Sequence, residues 1–157
     1  MNANTGSPRV LIVDDEADWV WLIRQRLALH HFDCLTATSG TEVWTIAKRE
    51  RPDAIILDLM LPGEHGLLVL RRLKSDRELR QMTIIIMTAL TSPQTRADAL
   101  RSGADAYFEK PFSLQELVET LERLLGRDTD SSPPTPSRKC TRLAGLPSAQ
   151  SVERPLQ

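Results

Sequence analysis

Short runs of Val, Ile and Leu alternating with longer amphipathic segments constrain this chain more than any other feature. A strand inside a parallel sheet is covered on both faces and reads as a continuous apolar run, and parallel neighbours need a long, usually helical, crossover between them. Val10–Val13, Ala54–Leu57, Thr83–Met87 and Ala106–Phe108 are such runs, with a weaker fifth candidate at Asp33–Thr36. The intervening segments carry helix start and stop chemistry. Ser39-x-x-Glu42 and Ser113-x-x-Glu116 read as capping boxes, Pro52 ends the second helix, and Gly103 suits a left-handed C-terminal cap. Leu114, Leu117, Val118, Leu121 and Leu125 share one face of the last helix, which closes the domain near Gly126. The pattern predicts an α/β chain, a doubly wound five-stranded parallel sheet with five helices.

With 157 residues, 41% of them hydrophobic, the chain holds one domain with a substantial core and not two. Lys and Arg number 20 against 21 for Asp and Glu, and a net charge of -1 supplies no attraction to a polyanion, so no direct nucleic-acid binding is expected. Cys34 and Cys140 have neither CxxC nor Cys/His spacing, which points to ordinary thiols in a reducing, cytoplasmic setting. No apolar run approaches the roughly 20 residues of a membrane span, and no membrane association is expected. Residues 1–7 read as a flexible N-terminus without an apolar signal core, and 8–126 as the folded domain. Residues 127–157 hold half of the chain's 10 prolines and read as a disordered Pro/Ser-rich tail or linker. Its Arg138, Lys139 and Arg142 form a basic cluster too short to be a binding site.

Four of the runs end in a charged or hydroxyl residue, or reach one within two positions: Asp14-Asp15, Asp58, Thr88 and Lys110. In a parallel sheet these ends all point the same way, to the edge where open α/β folds place their ligands. One such residue alone is commonly a loop group or a helix cap; four in agreement indicate a site. Carboxylates gathered in a cleft repel one another unless a cation neutralises them, and hard oxygens without His or Cys select Mg²⁺, with Mn²⁺ as a substitute. Mg²⁺ commonly shares its shell with phosphate oxygens, so the site expects a phosphoryl group. Lys110 would supply a fixed positive charge, Thr88 a hydroxyl donor and Asp58 the nucleophile.

Val13-Asp14-Asp15-Glu16, Asp58-Leu59-Met60-Leu61-Pro62-Gly63 with Gly66, Met87-Thr88-Ala89 and Tyr107-Phe108-Glu109-Lys110-Pro111-Phe112 together resemble the receiver domain of bacterial two-component response regulators. The resemblance spans roughly residues 8 to 126 and implies the strand order 2-1-3-4-5. It implies that Asp58 is the phosphoacceptor, receiving its phosphoryl group from a sensor histidine kinase or a phosphotransfer protein. Asp15, Asp58 and the backbone carbonyl of Met60 would ligate Mg²⁺, with Asp14 acting mainly through water. Thr88 and Tyr107 would form a switch pair that remodels the surface of the fourth helix, fifth strand and fifth helix, a face through which a homodimer is possible. The same resemblance implies a cis Lys110-Pro111 bond. The only chemistry expected is the chain's own phosphorylation and dephosphorylation, either as a stand-alone regulator or as the receiver of a longer one.

Other features belong to this chain in particular. On a helical wheel Val20, Ile23 and Leu27 share a stripe bordered by Trp19, whereas Trp21 falls near the opposite side, a candidate partner surface. Met60 and Leu90, each two residues beyond a key position, are apolar and suited to shielding an acyl phosphate from water. His30, His31 and His65 read as helix-end or solvated groups and not as ligands. A Mg²⁺-dependent phosphohydrolase would place an acid–base carboxylate two residues after its nucleophile, where Met60 stands. A receiver-like scaffold that is never phosphorylated would have no need to keep Asp14, Asp15, Asp58, Thr88 and Lys110 together.

Overall fold

The computed structural model describes residues 6–127, and the statements below concern these residues. The expected tail therefore lies outside them except for Arg127, as do Cys140 and the first five residues of the expected flexible N-terminus.

The elements alternate strictly: β1 (Arg9–Val13), α1 (Ala17–Leu29), β2 (Asp33–Ala37), α2 (Gly40–Glu50), β3 (Ala54–Asp58), α3 (Gly66–Ser75), β4 (Thr83–Thr88), α4 (Pro93–Arg101), β5 (Ala106–Glu109) and α5 (Leu114–Leu124). Each apolar run became a strand, including the weak one at β2, which pairs along its whole length with β1. All pairings are parallel and the order is β2-β1-β3-β4-β5, as expected.

The continuous apolar runs are explained by two cores, one on each face of the sheet. Val10, Ile12, Ile56, Ile85 and Met87 point to one side, against Ile23 and Leu27 of α1 and Leu117, Val118 and Leu121 of α5. Leu11, Val13, Ile55, Leu57, Ile84 and Ile86 point to the other, against Val43 of α2 and Val69, Leu70 and Leu73 of α3. Side chains alternate along a strand, so helices on both faces bury the central strands β1, β3 and β4 almost throughout, while the edge strands β2 and β5 keep exposed positions.

Local chemistry sets the helix boundaries. Ser39, Ser92 and Ser113 each accept a backbone N–H from the first turn that follows, which satisfies donors a helix start leaves unpaired. The reciprocal half of the first capping box is shifted by one position, since Glu42 accepts from Thr38 N–H at 2.7 Å. Helix α2 ends at Arg51 in a left-handed conformation immediately before Pro52. Gly103, past the end of α4, has φ +111°, as its expected cap role requires. Among the last-helix residues, Leu117, Val118 and Leu121 are fully buried, and Leu114 and Leu125 pack at the border of the same core.

Candidate functional site

The C-terminal ends of the strands form one rim. Asp14 follows β1, Asp58 and Thr88 close β3 and β4, and Lys110 follows β5. Register fixes their proximity: Asp58 pairs with Met87, Thr88 pairs with Glu109, and Lys110 N–H donates to the Thr88 carbonyl at 2.9 Å. Asp14, Asp58 and Thr88 are 0%, 3% and 0% exposed and are the buried polar side chains of the described core. Burying polar groups, and charges above all, is costly unless they are partnered, and a fold that keeps two carboxylates and a hydroxyl at one edge holds them there by specific bonds.

Those bonds converge on Lys110, whose side chain is 6% exposed. Its Nζ donates to Asp14 Oδ2 at 2.7 Å, Asp58 Oδ2 at 2.9 Å and Glu16 Oε1 at 2.9 Å. An ammonium has three N–H donors, and each has an acceptor here. The two aspartates are held alike: Asp14 Oδ1 accepts from Glu16 N–H and Asp58 Oδ1 from Met60 N–H, both at 2.9 Å. Each thus has one oxygen fixed by the backbone and the other turned to the lysine.

Burial raises the Asp14 carboxyl above the ordinary aspartate value and the charge of Asp58 adds to this, while the bonds from Lys110 and Glu16 N–H pull it down. For Lys110 burial acts to lower the pKa, yet the bonds to Asp14, Asp58 and Glu16 together hold it above the usual lysine value. The ammonium is charged at any physiological pH.

Oxygens of Asp14, Glu16 and Asp58 lie within 4.8 Å of one another. Three carboxylates against one ammonium leave a deficit of positive charge, and the donor set is all hard oxygen, so the residues fit a divalent cation such as Mg²⁺. Asp15 is exposed and stands outside this group, whereas Glu16 stands inside it. In the sequence Glu16 is part of the Val13-Asp14-Asp15-Glu16 motif with no role assigned to it. Only the structure reveals it: Glu16 is the N-cap of α1, where Ser, Thr, Asp or Asn is preferred, and it makes no side-chain capping bond. Trp19 was missed as well. One helical turn after Glu16, its ring stacks on Phe112 at 5.1 Å and lies 5.4 Å from Lys110 Nζ.

The loop after Asp58 folds back on itself, with Met60 bridged to His65 and Gly66 N–H donating to the Leu59 carbonyl at 2.8 Å. Gly66 allows this. A Cβ there would lie 2.5 Å from Leu59 Cα and 2.7 Å from the Asp58 carbonyl oxygen.

The model of the response regulator receiver domain matches residues 10–122. The chain belongs to the response regulator receiver family. It is 38% identical over 128 residues to the transcriptional regulatory protein PrrA of Mycobacterium tuberculosis, covering 81% of this chain and 54% of that protein. It is 39% identical over 118 residues to the phosphate regulon transcriptional regulatory protein PhoB of Pseudomonas aeruginosa, covering 75% and 52%. The chain thus spans about half the length of these curated relatives. The receiver domain of the Francisella response regulator 1452 superposes with a TM-score of 0.72 at 30% identity, over 77% of this chain and 98% of that one.

In this receiver the two residues expected to switch share one intermediary. Leu90 N–H donates to Thr88 Oγ1 at 3.2 Å, and Tyr107 O–H donates to the Leu90 carbonyl at 3.0 Å. The Tyr107 ring is buried, with the Arg96 guanidinium 5.2 Å from its centre. Burial and the Glu109 charge raise the Tyr107 pKa against the pull of Arg96. Met60 and Leu90 line one open groove together with His65 and Glu64 beside the Asp58 loop. The Lys110-Pro111 bond is cis.

The remaining expected residues lie apart from the rim cluster. Trp21 is 60% exposed on the outer face of α1. His30 caps α1 near Glu122, His31 takes a positive φ in the turn that follows, and His65 Nδ1 accepts the Leu67 N–H at the start of α3.

Proposed function

We propose that this receiver accepts a phosphoryl group on Asp58 from the phosphohistidine of a sensor histidine kinase or a phosphotransfer protein, and thereby alters its partner-binding surface. The observation that carries the reading is the shared ammonium: Lys110 Nζ lies within 2.9 Å of both Asp14 and Asp58, on strand ends far apart in sequence.

In the reaction a carboxylate oxygen of Asp58 forms the new O–P bond as the P–N bond to the donor imidazole breaks, and the imidazole takes up a proton. Asp14 and Asp58 would hold Mg²⁺, with Asp15 and the Met60 carbonyl added by the family resemblance and Mn²⁺ as a substitute. When bound, the cation offsets repulsion between the carboxylates and the incoming phosphoryl oxygens. The chain's own groups do the rest. Met60 N–H holds one Asp58 oxygen in place, Lys110 neutralises charge on the transferred group, and the Thr88 hydroxyl donates to a phosphoryl oxygen. A Thr88 displaced toward the phosphoryl group draws on its bond to Leu90, and Leu90 is bonded to Tyr107. This gives the switch pair a physical connection to the surface of α4, β5 and α5. That face is also the candidate homodimer surface.

Asp58 is followed two residues later by Met60, which lacks the acid–base carboxylate that a phosphohydrolase would place there. Met60 and Leu90 instead narrow the approach of water to an acyl phosphate. Trp21 is read as part of the kinase-facing surface of α1. PrrA and PhoB are named transcriptional regulatory proteins, and the present match covers about half of each. We read this chain as the receiver portion of such signalling, in the cytoplasm, alone or joined to an output unit. Among the described residues no helix is long and apolar enough to cross a membrane.

Intact-mass measurement after treatment with acetyl phosphate and Mg²⁺ tests the reading. The parent is expected to gain one phosphoryl group and Asp58→Asn none. No gain by the parent, or an equal gain by the variant, overturns it; continuous phosphate release supports the hydrolase instead.

A further inference from the structure

We propose that Glu16, with Trp19 beneath it, is a positioning element that keeps the Lys110 ammonium at the rim when Asp14 and Asp58 turn their oxygens to a cation. The inference rests on the phosphoacceptor reading above and adds to it a residue for which that reading had no use.

Lys110 donates to three carboxylates, but the three are not equivalent. All three carboxylates lie close enough together to share a cation, but Asp14 and Asp58 are buried with their free oxygens on the lysine, so a divalent ion held by that pair competes with the lysine for the same oxygens. Without another partner the ammonium would lose its bonds at the moment its charge is needed on the phosphoryl group. Glu16 differs: its side chain is 60% exposed, it reaches Lys110 at 2.9 Å, and it sits at the N-cap of α1 without capping the helix. Its carboxylate is thus committed to the lysine and not to the helix start. The backbone of Glu16 is fixed on both sides, with its N–H on Asp14 and its carbonyl accepting from Trp19 and Val20 N–H at 3.1 and 3.2 Å.

Trp19 completes the grip. Positions three apart on a helix share a face, and the indole lies 5.4 Å from Nζ, within the range of a cation–π attraction. Its stack on Phe112, two residues past Lys110, ties the start of α1 to the segment that carries the lysine. The first turn of α1 therefore holds Lys110 from outside the buried pair, by one carboxylate and one ring.

The test compares the parent with Glu16→Ala and Glu16→Gln, following phosphorylation by acetyl phosphate at saturating Mg²⁺ by intact mass. Mg²⁺ affinity is measured separately by intrinsic tryptophan fluorescence without phosphodonor, and folding by urea unfolding. The exposed position should leave folding intact in both variants. The expected result is a maximal phosphorylation rate about fivefold lower in Glu16→Ala, with a Mg²⁺ dissociation constant changed less than about threefold. Glu16→Gln, whose amide oxygen still accepts from the ammonium, should recover part of the rate. An unchanged or higher maximal rate in Glu16→Ala overturns the proposal. So does a tenfold weaker Mg²⁺ affinity with the maximal rate preserved, which would make Glu16 a cation ligand and not a lysine anchor. If the parent itself takes up no phosphoryl group, the phosphoacceptor reading fails and this inference falls with it.

Discussion

The two ends of the sheet each gather one cation with several carboxylates, and only one of them is a candidate site. At the N-terminal end, Arg9 meets Asp33 at 3.3 Å and Glu50 at 3.0 Å, with side chains between 29% and 55% exposed. At the other end Lys110 meets Asp14, Asp58 and Glu16 at nearly the same distances, but Lys110, Asp14 and Asp58 are all but sealed from water. Similar chemistry in two dielectrics gives different properties. In water the Arg9 bonds are screened and replaceable; at the buried rim each charge depends on its partners, and a new charge arriving there is felt strongly. Proximity of opposite charges therefore says little about function until burial is known.

Removing the cation at each end is the most direct challenge to this contrast. Lys110→Ala leaves two buried aspartates without their common partner and should destabilise the cation-free protein by about 3 kcal/mol, part of it regained on adding Mg²⁺. Urea unfolding with and without Mg²⁺ checks both halves, and a loss below about 1 kcal/mol would mean that the rim is as solvated as the opposite end.

Cys34 probes burial without a compensating partner. Desolvation pushes its thiol up to about 11, with the Asp33 charge adding to the rise and Arg24 pulling against it. Desolvation acts against the charged form at Lys110 too, but there the bonded carboxylates prevail. Alkylation proceeds through the thiolate, so with Cys140→Ser as background the iodoacetamide reaction at pH 8 should run about a hundredfold slower than for a free thiol of pKa near 9. Its rate should keep rising about tenfold per pH unit to near pH 11. A plateau near pH 9 would show that the thiol is not desolvated.

Backbone crowding at the rim predicts the next effect. Gly66→Ala places a methyl group against the main chain of Asp58 and Leu59, and should cost about 2 kcal/mol in thermal or urea unfolding. The same variant should slow phosphorylation of Asp58, because the loop that orients Met60 N–H must shift. The smallest effect belongs to the solvated end, where Arg9→Ala should cost less than about 1 kcal/mol, further reduced in high salt. A larger and salt-insensitive loss would erase the distinction between the two ends.

Local pattern sufficed for much of this molecule. The apolar runs, the serine caps, Pro52 and Gly103 are signals carried by neighbours in the chain, and the elements they predict are the elements observed. Even β2, the weakest run, formed because it is an edge strand that needs only one strand neighbour, β1. Asp14, Asp58, Thr88 and Lys110 were legible as a group because parallel strands carry their C-terminal ends to one side, so topology alone brings them together. Tyr107 became meaningful through the family resemblance, since a strand aromatic is otherwise an ordinary core residue.

Which of Asp15 and Glu16 bonds Lys110 was decided by the fold. Adjacent residues at a strand-to-helix turn point in different directions, and which one faces the lysine depends on backbone angles that no spacing rule records. Trp19 likewise became a neighbour of Lys110 only when the start of α1 packed beside the segment after β5. Burial was also settled in three dimensions: Arg9 and Lys110 are both cations at strand ends, and the layers around them leave one 40% exposed and enclose the other. Sequence patterns specify which groups the chain can bring to an edge, because periodicity and capping act over a few residues; packing of distant segments decides how much water those groups keep, and with it how strongly their charges act.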